Sequence, residues 1–325
     1  GAVDWFIPSD VFEFTENRTS SGWGDAATII PWQHYMAYGD KSILEEQYAS
    51  MKAWVDHVIT ESNDYLWNSG WHYGDWLFYS VNNDNAGNSA VTYTPLVQQC
   101  FFANSASIMA RTAEILGRTD DARYYADVAA KVREAFCENY LTPAGMLVSS
   151  TQTAYVLALN FDMLPENMRA KAAAHLAANV EKYGHITTGF LGTPYICHVL
   201  TEFGYNDLAY KLLLRDQYPG WLYPVTMGAT TIWERWNSMM PDRTIPDNGM
   251  NSFNHYSYGA IGDWLYRDAV GLHEGSAGFK TIIVKPHPGA DFTHMKASQL
   301  TPYGRAEAEW QKRDGEFSLR VVIPA

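Results

Sequence analysis

The strongest constraint on this chain is the way its helix-like stretches are punctuated. They come in pairs, and the connections between them alternate in length. The pattern predicts a helix to about Tyr38 with Asp25 placed to cap it, then Gly39-Asp40, then a second helix to about Thr60. Further pairs are expected over about 94–116 and 119–139, joined by Gly117-Arg118, and over about 152–161 and 165–183, with Pro165 at a first helical turn. Stretches 193–203 and 206–217 follow, broken at Gly204. A connection of about thirty residues (221–252) then leads to a last long helix over about 253–270. The opening residues, with Pro8, Ser9 and the 19–22 run, read as loop, and so does the stretch holding the Asn82–Asn85 cluster.

Every second connection is short and carries glycine, whereas the alternate ones are longer and rich in Trp, Gly, Asp, Asn and Thr. Hairpins packed side by side place all the long connections at one end. That is the signature of an α/α toroid, with structural turns at one rim and site loops at the other. An α-solenoid competes, but the uneven repeat lengths disfavour it. After Gly271 the composition switches: 280–286 and 318–323 are β-branched runs and 306–312 alternates. Residues 1–274 are therefore expected to form the helical domain and 275–325 the start of an all-β domain, unfinished because about three strands rarely stand alone.

Composition removes several function classes. A formal charge of −13, with no Lys/Arg run, argues against a nucleic-acid partner. The longest apolar stretches are well short of a membrane span, so no membrane partner is expected. Cys100, Cys137 and Cys197 lie far apart and read as small buried hydrophobes. The ten His show no HExxH or paired spacing, so neither a metal nor another cofactor is expected. Twelve Trp and 21 Tyr offer apolar faces with polar edges, which suit carbohydrate and also suit a large helical core.

One stretch carries chemistry most directly: Gly228-Ala229-Thr230-Thr231-Ile232-Trp233-Glu234-Arg235-Trp236. It sets a carboxylate between two indoles, as a sugar-cleaving site requires: rings to stack on the sugar and an acid to move a proton. The plainer reading is a surface ion pair of Glu234 with Arg235 and two core Trp residues. Other long connections add Trp23 with Asp25, Asp75 with Trp76, Thr151-Gln152-Thr153, Thr188-Gly189-Phe190-Leu191-Gly192-Thr193 and Asn251-Ser252-Phe253-Asn254-His255-Tyr256. Each has a structural alternative: Gly-Asp-Trp also describes a capped helix start, and His255 a satisfied core histidine. Their joint placement on one rim favours a site.

The 228–236 stretch followed by Asn251-Ser252-Phe253-Asn254-His255 strongly resembles the α-L-rhamnosidases of glycoside hydrolase family 78. The agreement extends to Gly22-Trp23-Gly24-Asp25-Ala26, Pro31-Trp32, Tyr38-Gly39-Asp40, Gly74-Asp75-Trp76, the 188–193 motif and Tyr218-Pro219, nearly the whole chain in order. The resemblance implies an (α/α)6 barrel followed by a C-terminal β-sandwich, and inverting hydrolysis of terminal α-L-rhamnose from glycosides or polysaccharides. On the matching positions it implies Glu234 as general base, His255 hydrogen-bonded to the sugar, and Trp23 and Trp76 lining the pocket. Trp233, beside the base, is a further candidate to bind the sugar, and Asp25 and Asp75 are candidates for ligand contact or loop bracing.

One departure from the family pattern matters. The general acid of the family is a glutamate in an acidic segment with Cys-Pro and Gly-Trp-Thr-Gly-Asp, upstream of the first motif here, and residues 1–325 hold no such segment. About nine helices are read where such a barrel needs twelve, so the barrel is expected to lack its first helices. The expected partners are a rhamnose-containing glycoside and an upstream segment of the same polypeptide. A non-catalytic sugar-binding module, an inert fragment, or a related (α/α)6 glycosidase acting on another sugar are the competing readings. In a pocket walled by Trp and Phe, burying the C5 methyl of rhamnose contributes only about 0.8 kcal/mol. Selectivity therefore has to come from hydrogen bonds to the hydroxyls.

Overall fold

Helical periodicity carries over into the structure almost element by element. The computed structural model describes residues 20–79, 92–246, 250–289 and 292–324. The expected loops around Pro8 and Ser9 and at Asn82–Asn85 lie outside the described residues. The helices are α1 Ala26–Tyr38, α2 Ser42–Glu61, α3 Thr94–Ile115, α4 Thr119–Tyr140, α5 Gln152–Asn160, α6 Glu166–Tyr183, α7 Thr193–Glu202, α8 Asn206–Leu213, α9 Leu222–Thr226 and α10 Ile261–Trp264. α10 is the middle of a longer rod, entered through a 3-10 turn (Ser257–Ala260) and left through a π-helical stretch (Leu265–Val270), with helical backbone angles at both joints.

α1, α3, α5, α7 and the rod pack one against the next, while α2, α4, α6 and α8 back them from outside. Burial separates the two rows: α3 and α5 are buried around most of their circumference, whereas α2 and α4 bury a single stripe. This is the α/α toroid expected, the architecture of (α/α)6 barrels. Aromatic side chains fill it, and three indole donors are satisfied: Trp54 Nε1 donates to Asp25, Trp264 Nε1 to Thr201 Oγ1 (3.0 Å) and Trp221 Nε1 to the Tyr258 carbonyl (2.9 Å). α1 buries only Ala27, Thr28 and Pro31. Between α1 and the rod runs a groove lined by Ile29, Ile30, Gln33 and Ala37 on one side and Ser257, Ala260, Asp263 and Tyr266 on the other.

The long connections interlock at one rim. The Ser21 amide donates to His72 Nδ1 (2.9 Å), the Tyr73 amide to Ser20 Oγ (3.2 Å) and the Phe190 amide to the Trp76 carbonyl (2.8 Å). Tyr258 Oη donates to the Leu77 carbonyl (3.0 Å), and Thr92 and Thr151 join through their hydroxyls (2.7 Å). Three local expectations differ. Asp25 makes no side-chain cap to α1; its carboxylate turns back to the Gly22 amide (2.8 Å). α8 ends at Leu213, several residues ahead of Pro219, whose ring disfavours helix at the residue before it. The last helical segment begins at Ser257 because 252–255 is committed to backbone pairing with 232–234.

The rod stops at Gly271, whose φ of 80° and position against Lys285 leave no room for a side chain: a Cβ there lies 2.2 Å from the Lys285 carbonyl carbon. β1 (Leu272–Glu274) then pairs antiparallel with β2 (Ile282–Val284). β3 (His294–Thr301), β4 (Gly304–Arg313) and β5 (Glu316–Val322) form an antiparallel meander, with Ala297 opposite Ala308 and Glu309 opposite Arg320. β1 and β3 were not expected from the sequence. Small Ala297, Ala306 and Ala308 form the buried face, and Trp310 Nε1 donates to the Ala269 carbonyl (2.8 Å), tying the sheet to the rod.

An ionic cluster sits where the toroid meets the sheets. His198 of α7 bridges Asp268 (2.6 Å) and Asp263 (3.2 Å) of the rod, Arg267 pairs with Asp263 and Glu274, and His287 lies 3.7 Å from Asp268. Burial alone lowers the pKa of His198, but the two carboxylates override it and push it up to about 9. A folded-state value above the ordinary 6.5 means the stabilisation is complete below pH 6.5 and is lost as pH rises through about 9. Thermal melts should therefore show stability falling from pH 6.5 to about 9, with a flatter profile and a lower melting temperature at pH 6.5 in His198→Gln. Parallel profiles for the two proteins would contradict the assignment.

Candidate active site

Glu234 is held by its backbone. Its amide donates to the Ser252 carbonyl (2.9 Å), the His255 amide donates to the Ile232 carbonyl (2.8 Å), and Thr231 Oγ1 bonds the Phe253 carbonyl. Three bonds thus zip 231–234 to 252–255 and bring the two motifs together. Glu234 itself is half-buried. The flanking indoles go inward: Trp236 stacks on Tyr258 (3.9 Å between centroids), and Trp233, 5% exposed, packs edge-on against Phe253. For these two rings the core reading describes the geometry, and little of Trp233 is left for a ligand.

His255 stacks with Phe190 (4.9 Å between centroids) and with Tyr256 (5.3 Å). Its Nδ1 accepts from the Ser257 amide (3.3 Å), which turns Nε2 into the free edge of the ring. Trp23 and Trp76 are half-buried and flank Tyr73, at 4.6 and 4.9 Å between centroids, and exposed Trp71 packs edge-on against the same Tyr73. A cleft of about 470 Å³ opens beside Trp23, walled by Ile29, Phe190, Tyr195 and Tyr256. Glu234 and His255 are not among its walls; Phe190 joins the two regions, lining the cleft and carrying His255.

The two aspartates are fully buried and their oxygens are occupied by protein donors. Asp25 accepts from Trp54 Nε1 (2.9 Å), Ser105 Oγ (2.5 Å) and the Gly22 amide (2.8 Å). Asp75 accepts from the amides of Gly189 (2.8 Å), Leu191 (2.8 Å) and Gly192 (3.1 Å) and from the Thr153 hydroxyl. Burial pushes both carboxyls up, against the pull of these hydrogen bonds. Of the two roles open to them, ligand contact or loop bracing, these contacts are those of a brace. Thr151 caps α5 by accepting the Ala154 amide (3.2 Å), and the Gln152 side chain spans the His185 carbonyl and the Thr187 amide. Tyr73, Phe190 and Tyr256 join the site without having been singled out. Each lay inside a quoted motif or beside one, but only the fold shows which aromatic faces the cleft.

Among the described residues no cluster of His, Cys, Asp and Glu has the geometry to hold a metal ion, and no helix is long and apolar enough to cross a membrane. A toroid of hairpins whose rim loops carry a half-buried carboxylate among stacked rings is the arrangement of an α/α-toroid glycosidase domain. The profile of the bacterial alpha-L-rhamnosidase 6 hairpin glycosidase domain matches residues 1–269, and that of the bacterial alpha-L-rhamnosidase C-terminal domain matches 271–325. The chain belongs to the bacterial alpha-L-rhamnosidase family.

An alpha-L-rhamnosidase of Formosa agariphila is 42% identical over 328 residues, covering 100% of this chain and 35% of its own length. The crystal structure of Streptomyces avermitilis alpha-L-rhamnosidase complexed with L-rhamnose superposes with a TM-score of 0.87 at 38% identity, over 94% of this chain and 29% of that one. Native Aspergillus terreus alpha-L-rhamnosidase gives 0.94 at 34% identity, over 99% and 38% respectively. The chain spans about a third of the length of the curated relatives it matches.

Gly189 reports on how tightly this rim is assembled. A Cβ there would lie 2.1 Å from the Trp76 carbonyl oxygen and 2.8 Å from that of Asp75, backbone atoms that cannot swing away. Gly189→Ala is expected to cost about 1–3 kcal/mol of unfolding free energy, the usual range for overpacking. Chemical denaturation measures it, and a loss within error of zero would mean that the two loops are free to separate.

Proposed function

We propose that the complete polypeptide carrying this chain hydrolyses terminal α-L-rhamnose from glycosides or polysaccharides with inversion, and that Glu234 is its general base. The observation that carries this reading is the zipper that sets Glu234 beside the His255 segment on the loop-bearing rim. Inverting hydrolysis needs two carboxyl groups roughly 6.5–9.5 Å apart on opposite faces of the sugar. One protonates the leaving glycosidic oxygen while the other removes a proton from the water attacking the anomeric carbon. A half-buried carboxylate on a backbone held at both ends suits the second role, since water reaches it while its position stays set.

In this reading Trp23 and Trp76 offer ring faces to the sugar and its methyl group, and His255, whose Nδ1 accepts from the Ser257 amide, donates to a hydroxyl through Nε2. Trp233, being buried, acts through Phe253 and the zipper. The general acid is supplied by an upstream segment of the same polypeptide. The groove between α1 and the rod, which is continuous with the cleft beside Trp23, is where that segment would enter, since α1 and the rod are the two ends of the inner row among the described residues.

Replacing Glu234 with Gln keeps the shape and removes the base. In the complete polypeptide, turnover of an aryl α-L-rhamnoside should fall by about 10²–10⁴, the usual scale for losing acid–base help. Calorimetric titration with rhamnose should still show binding. Near wild-type turnover would remove Glu234 from the role, and a preference for glucosides across a substrate panel would overturn the sugar assignment.

A further inference from the structure

Among the described residues Asp75 is the most heavily hydrogen-bonded carboxylate of the rim, and what it holds is one face of the site. Three of its four donors are amides of a single loop, those of Gly189, Leu191 and Gly192, and the fourth is the hydroxyl of Thr153 on α5. Leu191 and Gly192 immediately precede α7, so the carboxylate also sits at the positive end of that helix. The residue between its donors is Phe190. The Phe190 amide is taken by the carbonyl of Trp76, the neighbour of Asp75, so both sides of the loop are tied to the same dipeptide. Beyond Phe190 the contacts run to His255, stacked on its ring at 4.9 Å, and from the His255 amide to the Glu234 segment.

The fit leaves no slack. Added Cβ atoms at Gly189 and Gly192 would lie 2.1 Å from the Trp76 carbonyl oxygen and 2.6 Å from Thr153 Oγ1. The next residue, Leu77, is held at φ 58°, in the left-handed region, with its carbonyl accepting from Tyr258 Oη. A neutral amide at position 75 could not replace the carboxylate, because its NH₂ would face N–H groups that need an acceptor.

We infer that Asp75 is a positioning residue: it sets the Phe190 ring, and through that ring the imidazole of His255, in register with the Trp76 wall. It touches no sugar. The inference rests on the proposed rhamnosidase reading, and it concerns how the site is held and not which bond is cleaved. Because the effect travels through Phe190, the consequences of losing either residue overlap.

The test is a double-mutant cycle in the complete polypeptide, with kcat and KM for an aryl α-L-rhamnoside normalised to folded protein. Asp75→Asn and Phe190→Leu are each expected to lower kcat/KM by about ten- to a hundredfold, the scale of a sub-ångström to 1 Å misplacement. The double variant should be no slower than the slower single variant. If Asp75→Asn does not fold, Thr153→Val removes one donor and should show a smaller loss, also absent in the Phe190→Leu background. Losses that multiply, or an Asp75→Asn loss explained by unfolded protein alone, overturn the positioning role. A wild-type polypeptide that neither binds rhamnose nor turns over the substrate overturns the rhamnosidase reading and this inference with it. An active wild type with uncoupled variants overturns only the inference.

Discussion

Buried carboxylates saturated by amide, hydroxyl and indole donors hold this structure together at the end where it matters. Asp25 and Asp75 each draw donors from segments 29 to 117 residues away in sequence, so each one closes several long loops at once. A charged group is expensive to bury unless its lone pairs are filled. Here the filling groups are the rim loops themselves, and a loop that moves away leaves a buried oxygen unsatisfied. That penalty makes the rim cooperative: the toroid supplies the platform, and the carboxylates decide how the loops lie on it.

The helices were legible because they follow from local pattern. α3 and α4 come within a residue of expectation at either end, and the alternation of short and long connections correctly placed the long ones at one rim. What was hidden depends on contacts between distant residues. The delayed start of the last helix comes from pairing with a segment some twenty residues upstream, and the late segment looked helical until that pairing claimed it. β3 was missed because His294–Thr301 does not alternate cleanly between apolar and polar residues; its burial is imposed by β4. The site shows the same division. The motifs named the loops, but which ring is core (Trp233, Trp236) and which stays half-buried at the rim (Trp23, Trp76) is a matter of burial that a motif does not encode.

The sheets and the toroid are tied to each other through the rod. Trp310 hangs from the carbonyl of Ala269, and the ionic cluster of His198, Asp263, Asp268 and Arg267 reaches across to Glu274 and His287. On the edge strand β5, Val321 and Leu319 pair with Ala308 and Trp310, so Phe317, Leu319 and Val321 share the sheet's buried face and yet are exposed. An edge of this kind is a pairing surface unless something covers it.

The tie between Asp75 and the 188–192 loop also says how such a protein can diversify. Rim loops on a rigid toroid look like independent cassettes, each open to insertion or exchange. Here two of them share one carboxylate and one pair of close-packed backbones, so a new sequence in either has to keep the other's donors and acceptors in place. Grafting one loop alone would leave amides or oxygens stranded; grafting both, with Thr153, would move a finished wall. The heritable unit of this rim is the loop pair.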